Sequence, residues 1–103
     1  MAKRSKPDLF NRTNPPRVIN VMGHKIKVRV VKYLIDENHE LLGAWNPETK
    51  TIFLLKGCDW RSVLFHELIH CVISLSGVGE DLSMSKEESI VLALENNLFP
   101  VIR

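Results

Sequence analysis

Only two cysteines, Cys58 and Cys71, occur in the 103 residues of this chain. They form no CxxC unit, and one pair is too few for the disulfide framework of a small secreted domain. Cys71 falls inside an apolar helical run, where a free cysteine behaves as a small buried hydrophobe. No run of about 18 apolar residues is present, which excludes a helical membrane span. No apolar stretch follows the basic start, so no signal peptide is expected. There are no internal repeats. These absences lead us to expect a reduced, cytoplasmic protein without a membrane partner.

What the chain does have is one modest core's worth of sequence, with 45% hydrophobic and 25% charged residues. A chain this short cannot build a two-lobed cleft, so any active site must lie open or be completed by a partner. A bound metal would help so small a core stay folded.

The net charge of +2 is unevenly spread. Residues 1–17 carry Lys3, Arg4, Lys6, Arg12 and Arg17 against Asp8, a net of +4, which leaves −2 for the remaining 86 residues. Residues 1–16 end in Asn14-Pro15-Pro16 and read as a basic, flexible N-terminal tail. Such a tail can make weak contact with nucleic acid or an acidic partner. Residues 17–103 then form the domain.

From Arg17 to Leu34 the pattern is strand-like. Val18, Ile19 and Val21 precede a turn at Met22-Gly23-His24, after which Ile26, Val28 and Val30 alternate with Lys25, Lys27 and Arg29. The stretch Asp36-Glu37-Asn38-His39-Glu40 is polar and reads as a loop. A second hairpin joins Leu42–Trp45 to Thr51–Leu55 through Asn46-Pro47-Glu48-Thr49-Lys50.

Asp59 is a fair N-cap and Gly77 a good stop for a helix over Trp60–Ser76, which is apolar on nearly every side and so belongs mid-core. Ser85 and Glu88 have capping-box spacing for a second helix that runs to about Phe99 and is ended by Pro100. Strands first and helices after predict an α+β domain, with two β-hairpins in a small sheet packed on the two helices.

The central helix contains His66-Glu67-Leu68-Ile69-His70, an H-E-x-x-H motif. Residues i and i+4 share one helical face, so both imidazoles can reach a single ion. Glu67 is rotated by about 100° from His66. It can therefore stay off the metal, accept a proton from a water held there, and pass it to a leaving amine. Two histidines and a glutamate inside a buried helix are costly unless something satisfies them.

A catalytic zinc takes three protein ligands and keeps one open position. The continuation Cys71-Val72-Ile73-Ser74-Leu75-Ser76 lacks the glycine and third histidine of a metzincin. The other histidines, His24 and His39, both precede the motif. Glu87 and Glu88, at the start of the second helix, compete for the third place. Glu87 lies near the middle of the stripe Ile90, Val91, Leu94 and Leu98, and Glu88 at its edge.

Phe65-His66-Glu67-Leu68-Ile69-His70, followed by Glu87-Glu88-Ser89-Ile90-Val91, resembles small phage and prophage metallopeptidases. These are similar to the minimal-zincin peptidases of the ImmA/IrrE and SprT-like kinds. The resemblance covers roughly residues 18–99. It implies a zincin core with Zn2+ held by His66, His70 and a ligand on the second helix. It also implies an edge strand, here Thr51–Leu55, able to pair with an extended substrate. In glutamate zincins apolar residues follow the ligand at two, five, six and ten positions. Ile90, Ala93, Leu94 and Leu98 match this for Glu88, which is preferred over Glu87.

The expected function is therefore a zinc-dependent metallopeptidase acting on a protein or peptide substrate, in the host cytoplasm if the chain is phage-encoded, with Glu67 as general base. Nickel, cobalt or manganese would fit the same ligands. The alternative is a non-catalytic binding module stapled by zinc and docked on nucleic acid or a protein through its tail. A metal-dependent ribonuclease lacks the further downstream histidine such a site needs. No oxyanion-stabilising residue stands out among Tyr33, His39 and His24.

Overall fold

The computed structural model describes residues 12–77 and 83–102. Six strands precede two helices: β1 Val18–Val21, β2 His24–Val31, β3 Ile35–Asp36, β4 His39–Glu40, β5 Gly43–Asn46, β6 Thr51–Leu55, α1 Trp60–Ser76 and α2 Met84–Ile102. The architecture is α+β, as the order of apolar patterns predicts.

Met22 and Gly23 turn at φ 52° and 83°, the type I′ geometry that matches strand twist, and join β1 to β2 as an antiparallel hairpin. The second expected hairpin is β5–β6. Its turn is held by Asn46 Oδ1, which accepts hydrogen bonds from the backbone N–H groups of Glu48 and Thr49 at 2.9 and 3.3 Å.

β2 and β6 pair in parallel, giving the order β1-β2-β6-β5. This corrects the expected edge: Thr51–Leu55 is an interior strand, and β5 is the edge beside α1. The reason lies in side-chain size. Ile52 and Leu54 are fully buried, so β6 takes the centre, and the short Gly43-Ala44 segment is left outside. The stretch read as a loop at residues 36–40 contains a small separate hairpin, β3–β4, whose Glu37 and Asn38 turn at φ 50° and 67°.

One face of the sheet presents Ile26, Val28, Ile52 and Leu54 to Val63, Leu64 and Cys71 of α1. Each fully buried aliphatic side chain here contributes about 1.5–3 kcal/mol. Cys71 is the small buried hydrophobe expected, and burial pushes its thiol pKa up to about 11. α1 lies between sheet and α2, and its far side, Leu68, Ile69, Val72 and Ile73, shares an apolar groove with Leu94 and Leu98.

Gly77 ends α1 in the left-handed region at φ 81°. Asp59 stands at its N-cap position, but its carboxylate accepts from the Ser62 hydroxyl rather than from a backbone N–H. α2 starts earlier than expected. Ser83, not Ser85, is its cap, its hydroxyl accepting from Lys86 N–H at 3.2 Å. That shift takes Glu88 out of the capping-box position.

The helix also passes through Pro100 to Ile102, where Pro100 was expected to end it. Proline's fixed φ is helical, so the backbone continues with one hydrogen bond missing. Of the expected tail, residues 1–11 lie outside the described residues. Pro16 is buried, and the Arg12 carbonyl accepts a hydrogen bond from Arg61 Nη2 at 2.6 Å.

Candidate metal centre

α1 packs unusually close to the edge strand. A Cβ on Gly43 would lie 2.4 Å from Val63 Cγ1 and 3.1 Å from Glu67 Cγ. Only glycine fits, and the close approach holds the second residue of the motif against the sheet. One turn apart on the same helix, the rings of His66 and His70 have centroids 5.1 Å apart, tilted by 59°.

Their Nε2 atoms converge on one carboxylate. His66 Nε2 lies 3.0 Å from Glu88 Oε1, and His70 Nε2 lies 3.3 Å from Glu88 Oε2. One ligand atom from each of His66, His70 and Glu88 falls within 4.8 Å of the others, so the group could hold a metal ion. Ligands at the 2.0–2.1 Å typical of zinc sit about 3.3 Å apart on a tetrahedron, the scale of these separations.

The other ring nitrogens are tied down as well. His66 Nδ1–H donates to Glu95 Oε1 at 2.7 Å, and His70 Nδ1–H donates to Glu87 Oε2 at 2.6 Å. The two glutamates that competed in the sequence thus divide the work: Glu88 faces both Nε2 atoms, while Glu87 orients one ring from behind. Glu95 is the residue that sequence reasoning missed. It lies two helical turns beyond Glu88 on the same face, a carboxylate beside the fully buried Val91.

The cluster is rich in carboxylates around its two rings. Each imidazole lies between two carboxylates, which a neutral ring with one N–H cannot satisfy. Four carboxyl groups, those of Glu67, Glu87, Glu88 and Glu95, surround the two rings, a set that could hold a cation.

Burial works against the charged form of His66, but the Glu95 hydrogen bond and the charges of Glu67, Glu95 and Glu88 outweigh it and raise its pKa. Glu67 is 8% exposed. Burial raises its pKa, the two histidines pull it down, and Glu88 and Glu95 push it up again, for a net rise.

The cluster opens on a cleft of about 780 Å³ between α1, the start of α2 and the edge strand. Gly43, Ala44, Trp45 and Pro47 line one wall, and Ser74, Met84 and Asp36 complete it. His24, Tyr33 and His39 do not line it: His24 Nδ1 meets Lys50 Nζ at 2.9 Å, and Tyr33 and His39 are exposed. Trp45 does line it, and its buried Nε1–H has no hydrogen-bond partner. Among the described residues no helix is long and apolar enough to cross a membrane. No protein-family model, curated protein or solved structure matches the chain.

Proposed function

We propose that the chain is a zinc-dependent metallopeptidase whose ion is held by His66, His70 and Glu88. The observation that carries this reading is the convergence of both Nε2 atoms on the Glu88 carboxylate, with each ring oriented from behind by a further carboxylate. A His2Glu set favours zinc and leaves a fourth position for water or substrate. When bound, zinc supplies Lewis-acid polarisation of a scissile carbonyl and a water acidic enough to ionise near neutral pH.

The chain's own residues supply the rest. Glu67 follows His66 directly and lines the same cleft without belonging to the ligand group. Its raised pKa suits a group that accepts a proton from water and returns it to the departing amine. Beside a bound dication that pKa would fall again, leaving Glu67 ionised to act as the base. Glu87 and Glu95 hold the two rings in the tautomer that presents Nε2 to the ion.

The edge position of β5 favours a peptide substrate over a small molecule. Among the described residues β5 pairs only with β6, so its outer backbone groups are free to pair with an extended segment beside the cleft. The experiment is incubation of zinc-loaded protein with a quenched-fluorescence peptide library, alongside Glu67→Gln. Cleavage that vanishes in the variant while zinc is retained supports the reading. Equal cleavage by both proteins overturns Glu67 as the base.

A further inference from the structure

We propose that the outer face of the four-stranded sheet, away from the helices, binds single-stranded nucleic acid. Strand residues alternate between faces, and Ile26, Val28, Ile52 and Leu54 take the inner one. The outer face therefore carries Lys25, Lys27 and Arg29 of β2, spaced about 6.7 Å apart along the strand, and all three are exposed. Arg17 joins them. With Lys27, Val28, Arg29 and Val30 it lines a groove of about 630 Å³ at the sheet margin, bounded by Asn14, Pro15 and Pro16.

None of these four cations takes part in an ion pair or side-chain hydrogen bond among the described residues. The four strands contain no acidic residue. The acids concentrate on the opposite side, where Asp36, Glu67, Glu87 and Glu88 line the cleft. A polyanion is thus repelled from the histidine cluster and drawn to the sheet.

Register selects a single strand over a duplex. Arg29 of β2, Phe53 of β6 and Ala44 of β5 form one row across the sheet. A half-buried ring flanked by a guanidinium and a small residue offers a platform on which a splayed base can stack, while the cations track the phosphates. A duplex keeps its base faces stacked inside. An anionic membrane surface meets the same cations, but the apolar side chains directly beside them on this face are the half-buried Phe53 and the short Val18 opposite Lys27, which offer no bulky insertion.

The test is fluorescence anisotropy of a labelled oligothymidylate of about 16 nucleotides titrated with the full chain. With four phosphate contacts, affinity should fall about 50-fold between 50 and 200 mM salt. The triple variant Lys25→Gln, Lys27→Gln, Arg29→Gln should bind at least about tenfold more weakly, with a shallower salt dependence. Arg29→Gln alone should flatten the salt slope by about 0.7 unit, and it guards against misfolding of the triple variant. Neutralising Lys3, Arg4 and Lys6 should weaken binding less than the triple variant does.

No saturable binding at about 50 mM salt, or wild-type binding by both face variants, would overturn the proposal. So would binding to phosphatidylserine vesicles without oligonucleotide binding, or binding abolished by the tail substitutions alone.

Discussion

Glu95 Oε1 accepts a hydrogen bond of 2.7 Å from His66 Nδ1, across 29 positions of sequence and from one helix to the other. Glu87 and His70 repeat the arrangement at 2.6 Å over 17 positions. Two helices joined by paired carboxylate–imidazole bonds leave both Nε2 atoms aimed at Glu88. In the proposed site these bonds would fix the rings from behind and preorganise the donor set.

Glu95→Gln and Glu87→Gln should therefore keep the metal stoichiometry but lower metal affinity by about 10- to 100-fold. Competition with a chromophoric chelator reads this directly. Wild-type affinity in both variants would show that the Nδ1 partners are incidental.

Raising the pH should separate the metal-free and metal-loaded proteins. His66 has a raised pKa in the fold, because the Glu95 bond and the neighbouring charges outweigh the burial that opposes its charged form. A raised pKa contributes stability that is fully present below the unfolded value of about 6.5 and is lost as pH rises through the folded value. Glu67, also raised, acts in the same direction from a lower starting point. The metal-free protein should thus lose stability as pH climbs past 6.5. Metal binding, which displaces those protons, should strengthen over the same interval. Melting temperatures with chelator and with zinc, measured from about pH 5.5 to about pH 8.5, should move apart. A gap that stays constant or narrows contradicts this linkage.

Gly43→Ala should cost about 1–3 kcal/mol in chemical denaturation, since the added methyl meets Val63 at 2.4 Å and the Phe53 carbonyl at 3.2 Å. Ala44→Ser, one residue along on the outer face of the same strand, should change stability by less than about 0.5 kcal/mol. Equal effects at both positions would mean that α1 and β5 are not locked together at Gly43.

The motif and its helix were legible because an i, i+4 pair in an apolar run has few other readings. The preference for Glu88 rests on the resemblance to glutamate zincins, whose ligand precedes apolar residues spaced like Ile90, Ala93, Leu94 and Leu98, and the fold brings it beside both Nε2 atoms. Glu95 was not legible, because a lone glutamate on a helix usually faces solvent. Its signal was position alone, four residues after Val91 on the inner face. The α2 cap was misplaced because Ser83 and Ser85 are equally good caps in isolation. What separates them is the tertiary demand that Glu88 reach α1.

The edge strand was misjudged for a related reason. Hairpin logic pairs β5 with β6 but does not say which of them meets β2, and only burial of Ile52 and Leu54 decides it. Expected roles for His24, Tyr33 and His39 were left open in the sequence, and in the fold none of the three reaches the cleft.

Elemental analysis of the purified chain beside His70→Ala and Glu88→Ala tests the central claim most directly. The arrangement of Nε2 atoms around Glu88 predicts about one zinc per wild-type chain and loss in both variants. Full occupancy in Glu88→Ala would move the third ligand elsewhere, and a wild-type chain that takes up no metal when zinc is supplied would contradict the metal centre itself.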